Sequence, residues 1–251
     1  MKHYERWKIV LIVLLIGLSI ALYALRWFAF PDEALHNEMW RFLVGDAAFL
    51  FVQIAFVTLL VDQLLNARER AAMLQKLNMV IGAFYSEVGT ELMGMIASYD
   101  AGFDAIRQFV VVKHSWTVQD YASAKQHLRE YAWKVETKDC DLYALKARLA
   151  EEKSFLLSLL ANQSLLEHET FSELLWAVTH LTEELEARQS LTDLPSSDAR
   201  HIASDINRAY VLLISEWLDY MRHLQTQYPY LFSLAVRLNP LDPDAHVTVD
   251  A

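Results

Sequence analysis

The chain has 251 residues, 54% of them hydrophobic and 22% charged, with a formal net charge of −10 at pH 7. One Cys excludes a disulfide framework and any multi-cysteine zinc or iron–sulfur cluster, and six Gly with five Pro argue against collagen-like, low-complexity and turn-rich β-sandwich chains. The acidic balance argues against nucleic acid as a partner, because binding it needs a Lys/Arg footprint.

From Ile9 to Leu25 the chain carries no charge, and Arg26, Trp27, Phe28, Phe30 and Pro31 follow. The run is near the lower limit for a spanning helix, roughly 17–25 residues. Lys2, Arg6 and Lys8 resemble the basic start of a signal peptide. No small-x-small cleavage site closes the run, however, and a second apolar segment follows almost at once, so a membrane span is expected.

That second segment extends from about Phe42 to Leu65, with Asp46 and Asp62 near its ends. The intervening loop holds Asp32, Glu33 and Glu38. Lys2, Arg6 and Lys8 precede the first span and Arg68, Arg70 and Lys76 follow the second, whereas the loop side has only Arg41. The positive-inside rule then places both termini in the cytoplasm and the hairpin tip outside, with Trp7, Trp27 and Trp40 at the interfaces. In a hairpin centred near His36, Arg26 and Asp46 reach the same depth, so an ion pair is expected to hold the register. Gln53 lies on the Asp46 face near mid-membrane, where an amide seeks another helix; this face reads as an oligomer seam or a pore lining.

Residues 66–251 contain 26 Asp/Glu against 17 Lys/Arg, nine of the ten net negative charges. The periodicity here is helical throughout. A juxtamembrane helix is expected to continue from the second span to about Ser98. Leu74, Leu77, Ile81, Phe84, Val88, Leu92 and Met95 form a heptad-like seam with one slip, where two spacings of four follow each other. Gly82, Ser86, Thr90 and Gly94 form a stripe of small residues that lets another element pack closely. The seam reads either as an oligomerising stalk or, preferably, as the first helix of the domain core. Asp100–Gly102 breaks the helix, and short helices are expected over 104–112 and 117–131, the second opened by Thr117 and Asp120. One helix is expected over 139–161. A clear amphipathic helix over 167–188 turns Phe171, Leu174, Leu175, Val178, Leu181 and Leu185 inward. A long helix after Pro195 turns in Ile206, Tyr210, Leu213, Trp217, Met221 and Leu224, leaving His201, Asp205, Arg208, Glu216, Asp219 and His223 on the opposite side.

Candidates for chemistry are few. Carboxylates and histidines share faces on these two helices, and the residues a metal would draw on are Glu173, His180, Glu216 and His223. Each pair is seven residues apart, two turns, which is too far to chelate as adjacent ligands, so a solvated polar face is the preferred reading and no metal is expected. Cys140 sits beside Asp139 and Asp141, which raises a thiol pKa and makes a poor nucleophile. Trp176, Trp217, Tyr210, Tyr220 and Tyr228 read as packing residues. No H-E-x-x-H, G-x-S-x-G or Walker A motif is present. Neither catalytic residues nor a cofactor are expected.

At LNMVIGAFYSEVGTEL (77–92), LEHETFSELLWAVTHLTEEL (166–185) and EWLDYMRHLQTQYPYLFSLAVRLNP (216–240), the chain resembles a group of uncharacterised prokaryotic membrane proteins with a two-helix N-terminal anchor and a cytoplasmic helical domain. The resemblance implies a prokaryotic cytoplasmic (inner) membrane location and assigns no residue a role. The expected fold is all-α: a transmembrane hairpin over 1–65, a juxtamembrane helix over 66–98, a cytoplasmic helical bundle over 99–240 and a tail over 241–251. The expected function is a membrane-anchored interaction or sensory module without catalytic activity. Its partners would be lipid, further copies of itself and a protein that the sequence does not specify. The alternative is an oligomeric ion-conducting or membrane-permeabilising effector.

Overall fold

A computed structural model describes residues 2–29, 35–131, 133, 135–162, 165 and 168–248. The chain divides into two compact units, Met1–Ala72 and Met73–Ala251. Among the described residues all regular structure is helical, apart from a lone antiparallel bridge between Asp100 and Val135.

The first unit contains α1 (Lys2–Ala29) and the N-terminal part of α2 (Leu35–Phe84). The hydroxyl of Ser19 donates to the carbonyl of Ala48 at 2.7 Å. Small residues make this approach possible, since Ser19, Gly45, Ala48 and Ala55 are buried while most of their apolar neighbours are exposed. The expected Arg26–Asp46 ion pair rests on an Arg26 side chain outside the described residues, as are those of Trp7, Trp27 and Trp40. Asp46 and Gln53 are both exposed, and at 100° per residue they lie about 160° from the Ala48–Ala55 seam. Among the described residues, one helical stretch, Gly45–Tyr99, is long and apolar enough to cross a membrane by length and composition, and the apolar run Ile12–Leu25 is shorter.

In the second unit, α2 passes through a π-helical turn, Tyr85–Gly89, into α3 (Thr90–Tyr99). The extra residue falls where the heptad seam slips, between Phe84 and Leu92, and turns the consecutive aromatics Phe84 and Tyr85 both into the core. The Thr90 hydroxyl donates to the Tyr85 carbonyl at 2.6 Å, the same carbonyl that accepts the Thr90 backbone N–H across the π turn. Leu77, Ile81, Val88 and Leu92 are buried in the same core, although Leu74 is exposed. The seam is therefore the first helix of the domain. Two residues of the small-residue stripe lie close to other parts of this domain: a Cβ on Gly82 would meet the Tyr220 hydroxyl at 2.9 Å, and one on Gly94 would meet Pro240 Cβ at 3.2 Å, while Ser86 is exposed.

Next come α4 (Phe103–Val110), α5 (Val118–Glu130) and a 3-10 turn at Thr137–Asp139. Thr117 caps α5 as expected, its hydroxyl accepting from the Asp120 amide while the Asp120 carboxylate accepts from the Thr117 amide at 2.6 Å. The single helix expected over 139–161 is instead two, α6 (Leu142–Glu151) and α7 (Lys153–Leu160). No Gly or Pro marks the break. It falls at Glu152, whose carboxylate is held by Arg148 at 2.5 Å while the same guanidinium reaches Glu91 at 2.6 Å.

Two long helices dominate the unit, α8 (Glu169–Ala187) and α9 (Ser196–Gln227), followed by α10 (Pro229–Arg237). Every expected inward residue of both helices is buried. The central helix is α9, which packs against α8, α10, α5 and α3, while α8 also packs on α6 and α7. So many neighbours widen the buried arc of α9 beyond one stripe. Two residues expected on its solvated side, Asp205 and Glu216, are each only 2% exposed. Trp176 departs the other way: expected as packing, it is 65% exposed.

Candidate functional site

The four metal candidates named from the sequence do not form one site. Glu173 is exposed and, with His180, edges a groove of about 670 Å³ walled by Trp176, Val211 and Leu212. Glu216 is buried where α9 meets the start of α8, accepting a hydrogen bond from Thr170; burial pushes its carboxyl above the usual range. His223 packs edge-on against Tyr228 at 5.8 Å, and partial burial lowers its pKa. Of the four, only His180 joins a convergent cluster.

That cluster lies between the C-terminal half of α8 and the first turns of α9, which the short 188–195 connection brings together as antiparallel neighbours. Each helix contributes a histidine and a carboxylate four residues later, one turn apart and therefore on one face: His180 and Glu184 from α8, His201 and Asp205 from α9. His180 Nε2 stands 3.6 Å from Asp205 Oδ2 and 3.8 Å from Glu184 Oε1. His201 Nε2 stands 3.4 Å from Asp205 Oδ2 and 3.5 Å from Glu184 Oε2. Among the described residues, His180, Glu184 and His201 are the group whose ligand atoms all converge within 4.8 Å.

Two arginines flank the four. Arg188 donates to Glu184 Oε2 at 2.7 Å and grips Asp198 with two hydrogen bonds, of 2.6 and 3.0 Å. Its hydrogen bond to Glu184 holds that carboxyl below the usual range, and the same contact does so for Asp198. Arg208 lies 3.2 Å from Asp205 Oδ1, leaving Oδ2 toward the two imidazoles. Neither Asp205 oxygen accepts a well-formed hydrogen bond, although the residue is buried. Such a group is costly unless something else satisfies it.

The signal for this cluster is present in the sequence as two i,i+4 pairs, HLTEE (180–184) and HIASD (201–205), on either side of one predicted turn. Weighing pairs seven apart within each helix passes over it. Elsewhere, the Cys140 thiol donates to the Glu136 carbonyl at 3.3 Å and is pushed up to about 12, by burial first and by Asp139 second.

These features define a two-part all-α protein with an apolar N-terminal hairpin and a helical domain carrying a His/carboxylate cluster. Family models match both parts: "MJ1433, N-terminal helical domain" over residues 2–65, and "Uncharacterized protein MJ1433, C-terminal helical domain" over residues 73–237. Uncharacterized protein MJ1433 of Methanocaldococcus jannaschii is 39% identical over 238 residues, 95% of this chain and 94% of that protein. The chain belongs to the MJ1433 family. No solved structure matches it.

Proposed function

We propose that the protein is a membrane-anchored helical module of a prokaryotic inner membrane, self-associating through its hairpin and presenting its acidic helical domain to the cytoplasm. The observation that carries this reading is the apolar exposure of the first unit. In the most apolar 18-residue window of the Gly45–Tyr99 stretch, only 11% of residues are buried. Val13, Ile20, Phe49 and Phe56 also stand more than half exposed. A surface of this kind in water is a strong aggregation liability, and lipid removes the cost.

Self-association is supported by Asp46 and Gln53, which project away from the seam within the hairpin. Polar groups on a lipid-facing surface seek another helix. The same stripe supports the second reading, an ion-conducting assembly; Gln53→Leu and Asp46→Asn would then change conductance in planar bilayers.

The anchoring reading is tested by expressing the full chain in a bacterium and extracting membranes with alkaline carbonate. Retention in the pellet until detergent is added is the expected result. Recovery in the detergent-free supernatant would contradict it.

A further inference from the structure

We infer that His180, Glu184, His201 and Asp205 form a binding site for a divalent transition-metal ion of the zinc class. This goes beyond the anchoring reading and does not depend on it.

The spacing of the donors is the first argument. Zinc with ligand bonds of about 2.0–2.1 Å places tetrahedral ligands about 3.3–3.4 Å apart. The four imidazole–carboxylate separations around the cluster are 3.4, 3.5, 3.6 and 3.8 Å. All exceed the ordinary length of a nitrogen–oxygen hydrogen bond, about 2.7–3.2 Å. The groups thus do not pair off: one ligand atom each from His180, Glu184 and His201 lies within 4.8 Å of the others, and Asp205 Oδ2 faces both imidazoles.

Asp205 supplies the second argument. A carboxylate 2% exposed, with neither oxygen accepting a hydrogen bond, is aimed into this space. Arg208 faces Oδ1 and offsets part of its charge, while Oδ2 is the atom nearest both imidazoles. A cation at the centre satisfies it.

The surroundings fit a metal site in two further respects. Arg188, anchored by Asp198, fixes Glu184 through Oε2, as the partners of ligating carboxylates do. All four donors stand on helices and not on loops, and the histidines are 44% and 52% exposed, which gives an ion a route in. Two imidazoles with two carboxylates suit zinc and its first-row neighbours, whereas magnesium and calcium favour oxygen donors throughout.

The test uses the full, tag-free chain in detergent micelles, stripped with a chelator and titrated with zinc chloride against a chromophoric competitor. One Zn²⁺ per chain is expected. Affinity is expected to fall at least 100-fold in His180→Ala/His201→Ala and about 10-fold or more in His201→Gln or Asp205→Asn, while His223→Gln leaves it unchanged. Because His201 is half exposed, His201→Gln should keep the helical circular dichroism and melting temperature of the metal-free chain, so its lost affinity reports ligation and not unfolding. Co²⁺ in the same site should give the intense visible absorption of a tetrahedral complex, absent from the double variant. A wild-type chain that takes up no stoichiometric Zn²⁺, or a double variant that binds it undiminished, would overturn the assignment.

Discussion

Tyr85 donates its phenolic hydrogen to the backbone carbonyl of Leu213 at 2.7 Å, tying the π-helical turn to the middle of α9 with both residues buried. Its ring also stacks on Tyr220 at 5.5 Å and tilts against Trp217 at 5.1 Å. Removing only the hydroxyl, in Tyr85→Phe, should cost about 1 kcal/mol and lower the thermal midpoint by roughly 2–4 °C. Tyr85→Ala also loses the ring packing and should cost about 3–5 kcal/mol. Thermal melts of the full chain in detergent, followed by circular dichroism at 222 nm, distinguish the two.

Gly89 closes the same turn, and here glycine is required for space. A Cβ would come within 2.6 Å of Phe84 Cε1 and 2.7 Å of Tyr85 Cδ1, rings pinned by edge contacts to each other and, for Phe84, to Phe171 at 5.4 Å. Gly89→Ala should therefore destabilise by about 1–3 kcal/mol, although alanine is the better helix former. Gly17 has nothing within 4 Å of its Cβ position. Gly17→Ala should be neutral or stabilising in the same melts.

Glu216 and Glu184 should give opposite pH dependences. Burial raises the Glu216 pKa, so its contribution is most favourable below its unfolded pKa, near 4.3, and declines as pH rises through the folded value. Glu216→Gln should accordingly raise the melting temperature at pH 8 by roughly 2–4 °C, the effect of about 1 kcal/mol in a domain of this size, and the gain should vanish near pH 4.

Glu184 and Asp198 are both lowered by hydrogen bonds from Arg188. Their contribution is present above the unfolded carboxyl pKa and is lost as pH falls through the folded values. Arg188→Gln should lower the melting temperature at pH 7 by several degrees. The deficit should shrink steadily below pH 4, because the protonated carboxyls lose the same interaction in the wild type. Melts of wild type and variant across pH 3–8 read both slopes.

The inner face of α8 was legible because that helix has one apolar stripe and its residues obey a 3.6 period without interruption. The slip in the seam from Leu74 to Met95 was legible as well, and the π turn is its physical cause. The status of Asp205 and Glu216 was not. Periodicity assigns a helix one buried stripe, whereas α9 is enclosed by neighbours that only tertiary structure supplies. The break at Glu152 also escaped, since no residue there disfavours helix strongly. The cluster was half legible: His180, His201 and Asp205 stood on polar faces in the sequence, but the convergence of these with Glu184 depends on the α8–α9 register, which is set by how the 188–195 connection turns back.

The anchoring claim meets its most direct test in thiol accessibility on intact cells. In a Cys140→Ser background, Glu33→Cys sits at the expected hairpin tip and Lys113→Cys on an exposed loop of the helical domain. A membrane-impermeant maleimide should label the first in whole cells and the second only after lysis. Labelling of Lys113→Cys in intact cells, or protection of Glu33→Cys until lysis, would contradict a hairpin that spans the membrane with the helical domain inside.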